Sequence, residues 1–204
     1  MRQVRVDDGK GSVMIEIFDG SDAARLATVL SLRRAAFSGS RRDPAHLDAW
    51  ASDTYDRACR HIVMTDHTGA PVAAVRVVLE GRWPLQDRYD GPLEQTRGAE
   101  FGRLCVLRRE TADVRNLYEL MVNAARHCVE LQRPMMYGLT IAPFWRALAR
   151  AGVPLAPLSG PIQAYGEEEN VILFDAHDLI AFYDGGAHSG PRPTTADTVT
   201  GERA

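Results

Sequence analysis

Cysteine is scarce in this chain of 204 residues: Cys59, Cys105 and Cys128 lie far apart and none falls in a Cys-x-x-Cys spacing. An odd number excludes a fully paired intrachain disulfide set. The missing spacing argues against a thiolate zinc site, so no metal is expected and a reducing cytoplasm is the simplest setting. No apolar run precedes Asp7 and Asp8, and no stretch reads as a membrane span or a signal peptide. A net charge of −3 gives no reason to expect a nucleic-acid partner. Internal repeats are absent. From Tyr183 onward the chain is rich in Gly, Pro and Thr and has little to bury. Residues 1–184 therefore read as one domain and 185–204 as a disordered tail.

What is present is an alternation of strand and helix patterns. Residues 13–18 (VMIEIF) alternate as a strand. Asp19-Gly20 turns the chain, and Ser21 or Asp22 caps a helix to about residue 37 with Leu26, Leu30, Arg33 and Phe37 on one face. Residues 38–59 read as irregular or weakly helical. Residues 61–66 and 71–80 form a hairpin around the turn HTGA, and 81–98 a long connection broken by Pro84, Gly91, Pro92 and Gly98. A strand at 99–107 precedes a long helix at 114–132, whose stripe is Leu117, Leu120, Met121, Ala124, Ala125, Cys128 and Leu131. A buried strand (135–141), a short helix ending at Gly152 (144–152) and a strand pair (161–166, 169–174) follow. This order fits an α/β fold with a mixed central sheet flanked by helices, and by itself leaves several such folds open.

Arg76 interrupts the apolar strand VAAVRVV, where a charge is costly unless paired. Four segments together look like a known family. LRRAAF (32–37) carries Arg33 and Phe37, and SDTYDRACRHIVMTDHTGAPVAAVRVV (52–78) carries Asp53, Asp56 and Arg76. AEFGRLCV (99–106) carries a Glu-x-x-Arg element, Glu100 and Arg103, and LARAGVP (148–154) completes the set. In this order the chain resembles the acyl-homoserine lactone (autoinducer) synthases of quorum sensing and the related N-acyl amino acid synthases, over roughly residues 13–175. The resemblance implies the GNAT-like acyltransferase fold. It also implies a soluble enzyme that moves a fatty acyl group from an acyl-carrier-protein thioester to the amine of a small acceptor, an amino acid or S-adenosylmethionine. No tightly bound cofactor is implied. The donor is an acyl-phosphopantetheine thioester, with acyl carrier protein as partner. One departure concerns the acceptor. Lactone-forming members keep a tryptophan shortly after the helix phenylalanine, whereas here Trp50 comes later, beside the acid pair.

Acyl transfer to an amine needs a base for the amine proton and donors for the carbonyl oxyanion. Glu100 is the candidate base; its alternative is an ion pair with Arg76 or Arg103. Asp53 and Asp56, three residues apart, face one point if the segment turns helically, and can hold a positive amine or cap a turn. Arg76 either pairs with these acids or binds an acceptor carboxylate. In a regular strand Glu100 and Arg103 point to opposite faces, so both serve one cleft only across a bulge, which Gly102 would tolerate. Arg33 would order the acids from the first helix.

On the donor side, the backbone of Leu104, Cys105, Val106 and Leu107 is expected to hold the pantetheine arm. Arg108, Arg109, Arg115 and Asn116 would meet its phosphate or an acidic carrier surface, the alternative for the arginines being plain solvated surface. Residues 108–116 (RRETADVRN) contain no glycine, which fits a donor without an adenosine pyrophosphate. Met121, Met135, Met136, Phe144, Trp145 and Leu148 are candidates for an acyl slot or plain core. Neither His61 nor His127 has triad spacing, and Cys105 has no evident base. An ordinary acyl-CoA N-acyltransferase and a non-catalytic acyl-binding domain remain the alternatives.

Overall fold

The computed structural model describes residues 2–7, 12–38, 44–107 and 114–186. Its elements are, in order, β1 (Arg2–Asp7), β2 (Ser12–Asp19), α1 (Ala23–Ser38), α2 (Leu47–Ala51), β3 (Arg60–Thr65), β4 (Pro71–Val78), β5 (Gly98–Val106), α3 (Val114–Glu130), β6 (Met135–Ile141), α4 (Ala142–Arg150), β7 (Ala156–Pro157), β8 (Ile162–Ala164), β9 (Glu167–Asp175) and α5 (Ala176–Asp184). Short 3₁₀ turns at Pro44–His46, Asp56–Ala58 and Pro84–Asp87 punctuate the long connections.

Period-two alternation assigns the two faces of the sheet. Ile62 and Met64 of β3 and Ala73, Val75 and Val77 of β4 pack in the main core, with Leu120, Met121, Ala124 and Ala125 of α3. Val63 and Ala74 pack on the opposite side with Val29 and Leu32 of α1. His61 and Arg76, paired across β3 and β4, also fall on the α1 side. The buried stripe of α1 is Leu26, Val29, Leu32 and Arg33, with Leu30 and Phe37 at its edge rather than its centre.

Among the described residues nine strands form one sheet in the order β1-β2-β3-β4-β5-β6-β9-β7, with β8 also on β9. Every pairing is antiparallel except β5 with β6, which run parallel and pair only from Gly98–Met135 to Glu100–Tyr137. Beyond Glu100 the two strands separate. β5 continues along β4 and β6 continues along β9. The sheet thus opens into a fork in its middle, with helices on both sides.

Three elements were not expected from sequence: β1, β7 and α5. β1 pairs along its whole length with β2. α5 begins at an N-cap aspartate, Asp175, whose carboxylate accepts from the His177 N–H at 2.8 Å. The expected tail falls mostly on 187–204, outside the described residues. Among the described residues no helix is long and apolar enough to cross a membrane.

Helix α4 stops as its glycine implies. Val153 N–H reaches Leu148 O at 3.0 Å and Gly152 N–H reaches Ala149 O at 3.0 Å, with Gly152 at φ +82. This is the Schellman arrangement, which asks for a left-handed residue. Gly152→Ala is expected to cost about 1 kcal/mol and to lower the thermal midpoint by about 2–4 °C in scanning calorimetry.

Candidate active site

The fork begins at Glu100. A cavity of about 590 Å³ occupies it, and its lining comes from both faces of the sheet. On the α3 side lie Leu117, Met121, Phe144, Ile172 and Phe174; on the α1 side lie Phe37, Trp50, Arg76, Glu100, Arg103 and Tyr165. The cavity therefore passes through the sheet, apolar at one end and charged at the other.

The charged end is a buried ion network. Arg33 of α1 donates to Asp56 Oδ1 at 2.6 Å. Arg76 of β4 donates to Asp53 Oδ1 at 2.6 Å and to Asp56 Oδ1 at 3.2 Å, and lies 3.9 Å from Glu100 Oε1. Arg103 donates to Asp53 Oδ2 at 2.8 Å. Asp56 also accepts the backbone N–H of Asp53 at 2.9 Å, so the two acids close their own turn. Burial alone would raise the pKa of both aspartates. The guanidiniums of Arg76 and Arg103 at Asp53, and of Arg33 and Arg76 at Asp56, outweigh it and hold both below the usual carboxylate value.

Glu100 differs. Burial pushes its pKa up to about 7, against the opposing pull of Arg76 and of the Leu85 N–H that donates to its Oε2 at 2.6 Å. The result is a carboxyl group poised between its two states near neutrality, at the junction of the polar and apolar ends.

Arg103 reaches the network by a backbone device. The β4–β5 register pairs Arg76 with Gly102 but Ala74 with Cys105, so β5 carries one extra residue. Arg103 sits in that bulge at φ 56. Without the bulge its side chain would follow Phe101 to the α3 side. The bulge instead brings Arg103 to Asp53, as the sequence required if Glu100 and Arg103 were to share one cleft.

On the donor side only part of the expected set faces the gap. Leu107 N–H is spent on Val72 O at 2.8 Å, so Cys105, two residues back and opposite Ala74, also turns its backbone groups toward β4. Leu104 and Val106 turn theirs into the fork. Leu107 and Cys105 thus pair with β4 through their backbone, while Cys105 still lines the cavity. Burial raises the Cys105 thiol to about 11, which removes it as a nucleophile. Arg108 and Arg109 lie outside the described residues, as does the side chain of Arg115. Asn116 occupies the first turn of α3, away from the cavity lining. Among the apolar candidates Met121 and Phe144 line the cavity, Met136 and Leu148 belong to the core, and Trp145 donates its indole N–H to Asn170 Oδ1 at 3.1 Å.

Three participants have no site role in the sequence reading. His61, fully buried, lies 3.1 Å through Nδ1 from the Arg33 guanidinium and 2.8 Å through Nε2 from Asp56 O. Burial and the nearby Arg33 push its pKa down to about 4, so it is neutral at pH 7, accepting from Arg33 and donating to the Asp56 carbonyl. Asp56, Cys59 and His61 bring potential metal-ligand atoms within 4.8 Å of one another. Arg33 already binds both Asp56 and His61, and Arg76 adds a second guanidinium, an environment hostile to a cation. Trp50, displaced in sequence, lies 6.1 Å from Phe37 in space, and Tyr165 packs on Trp50 at 4.9 Å. Position along the chain gives no warning of either contact.

No protein-family pattern and no curated protein sequence matches the chain. Solved structures do. The CoA-dependent acyl-homoserine lactone synthase BjaI, solved with S-adenosylmethionine and isopentyl-CoA, superposes with a TM-score of 0.66 at 15% identity, over 86% of this chain and 89% of BjaI. The acyl-homoserine lactone synthase LasI gives 0.63 at 14% identity, over 80% and 90%. An acyl-CoA N-acyltransferase from Pseudomonas aeruginosa gives 0.57 at 15%, over 79% and 98%. What is shared at such identities is the fold. The chain has the GNAT-type acyltransferase fold also found in acyl-homoserine lactone synthases, in agreement with the sequence resemblance.

Removing the shared cation tests the network. Arg76→Met leaves the buried Asp56 and the half-buried Asp53 each short of a partner and is expected to cost on the order of 3–5 kcal/mol in urea unfolding. Arg34→Ala, which breaks the exposed Arg34–Asp48 pair, is expected to leave the urea midpoint nearly unchanged.

Proposed function

We propose that this protein is an N-acyltransferase that moves a fatty acyl group from a phosphopantetheine thioester to the amine of a small acceptor, an amino acid or S-adenosylmethionine. The observation that carries the reading is Glu100: a buried carboxyl with a pKa of about 7, where a through-sheet cavity changes from charged to apolar.

The chemistry follows from that placement. The acceptor occupies the charged end, its carboxylate drawn to Arg76 and Arg103 and its ammonium to Glu100. The Glu100 carboxylate takes the ammonium proton, directly or through a water. The freed nitrogen lone pair attacks the thioester carbonyl, and the oxyanion is met by N–H groups of the β5 edge at Leu104 and Val106. With the C–N bond formed, the oxyanion collapses and the C–S bond breaks, and the thiolate leaves with the proton that the nitrogen sheds in becoming an amide. The acyl tail lies among Leu117, Met121, Phe144, Ile172 and Phe174. Asp53, Asp56 and Arg33 hold the arginines in place rather than touching the reacting atoms.

The glycine-free segment 108–116 favours an acyl-carrier-protein donor. The CoA dependence stated for BjaI and MesI favours the second reading, acyl-CoA. Mass spectrometry of reactions that combine each donor with S-adenosylmethionine or mixed amino acids separates them. An acylated amine from either donor is the expected result; no product from any pairing with folded protein overturns the proposal.

The pH dependence has a definite sign. The rate should rise as pH passes upward through about 7, where Glu100 loses its proton. Glu100→Gln should lower kcat by roughly 10²–10⁴ and abolish that limb. Stability runs the other way. A carboxyl whose pKa is raised in the fold contributes fully below its unfolded value of 4.5, and that contribution is lost as pH rises through about 7. Glu100→Gln should therefore unfold at a higher temperature than the wild type at alkaline pH, with little difference below the unfolded value.

A further inference from the structure

Among the described residues three non-glycine positions have positive φ, and two of them, Arg103 at φ 56 and Tyr165 at φ 52, touch each other across the cavity. The third, Gln132, ends helix α3 and has a local reason. Left-handed backbone costs an ordinary residue roughly 1–2 kcal/mol, and such positions concentrate where surrounding structure holds them for a purpose. Strands β8 and β9 meet in a two-residue turn, Tyr165-Gly166, with φ 52 and 79. Two positive values mark the type I′ turn, whose first position favours asparagine or aspartate over a bulky aromatic.

The aromatic has partners that explain its presence. Arg103 donates through Nη2 to the Tyr165 hydroxyl at 3.3 Å, and its guanidinium stands 4.8 Å from the ring centroid. Arg88 approaches the same ring at 5.0 Å and Trp50 at 4.9 Å. Gly166 is pressed against His46, where an added Cβ would lie 2.5 Å from the imidazole, so the hairpin tip is seated on the segment that leads into Trp50. The Arg103 side chain, only 5% exposed, lines the cavity and spends its Nη2 on both Asp53 and Tyr165. A guanidinium held in place at a cavity wall is suited to a carboxylate ligand.

We propose that Arg103 and Tyr165 form one positioning device, in which Tyr165 fixes the Arg103 guanidinium at the cavity wall and thereby sets the preference for acceptors that carry a carboxylate. The inference rests on the acyl-transfer reading of the same cavity. Tyr165 is a positioning residue, acting through Arg103.

Two variants of the full chain test it. Tyr165→Phe keeps the ring and removes the hydroxyl; Tyr165→Asn removes the ring and suits the turn, so the hairpin is retained. With donor saturating, Tyr165→Phe is expected to raise the acceptor KM roughly 3- to 10-fold. Tyr165→Asn should raise it more. Donor KM and kcat should stay within about twofold. The preference for an amino acid over its decarboxylated amine should fall in both variants. An unchanged acceptor KM and preference in Tyr165→Asn, or an equal rise in donor and acceptor KM, overturns the proposal. A second readout needs no substrate. The Arg103 Nε–H resonance, assigned by Arg103→Lys, should lie in the Tyr165 ring current, and should move and exchange faster in Tyr165→Asn. A resonance that stays put overturns the positioning. A wild type that forms no product overturns the transfer reading and the acceptor's part in this one, while the resonance still decides whether Tyr165 holds Arg103.

Discussion

Three pairs of a parallel ladder join β5 to β6, and the ladder then stops. A sheet interrupted in its middle has two interior edges, and backbone groups along them need partners that neither strand supplies to the other. The rest of the site is arranged around this condition. Glu100 is the last residue of the ladder on β5, and Arg103 occupies the bulge just beyond it. The cavity is the space between the parted strands, which is why its lining draws on both faces. In an unbroken sheet the apolar layer under α3 and the polar layer under α1 would have no communication.

The polar layer is held by cations that cannot be neutralised. Arg33 and Arg76 are almost wholly buried, a state that is stable only with charge partners in good geometry. Asp53 and Asp56 provide these, each bridging two guanidiniums, so the loss of one member leaves a buried charge uncompensated. Glu100 stands at the margin of this arrangement. Its distance of 3.9 Å from Arg76 is too long to cancel the cost of burial, and its pKa rises where those of the aspartates fall. The same arginine thus serves two acids that stay ionised and one that titrates.

Much of this was legible in the chain. Arg76 announced itself by interrupting an apolar strand, and its partners were among the acids named for it. The spacing of Glu100 and Arg103 conflicts with a period of two unless a bulge intervenes; the structure has that bulge, with Arg103 rather than Gly102 as the extra residue. The Asp175 cap that starts α5 was also present and was passed over in a short mixed segment. Tyr165, His61 and Trp50 were not legible as site residues, because each owes its place to partners far away in sequence. Of the four consecutive residues expected at the pantetheine, only alternate ones can offer their backbone to the same side, because the strand is paired on the other.

The Arg33–Asp56 contact has a consequence for motion. Helix α1 reaches across the sheet face to the acid turn, and His61 fastens the same guanidinium to β3. Local opening of either segment would strand an ion in a dry interior, so the two behave as a single cooperative unit with a high opening free energy. Breathing of the first helix about Arg33 is thereby disfavoured as a route into the cavity. Access must come from parts of the wall that no buried charge pins down.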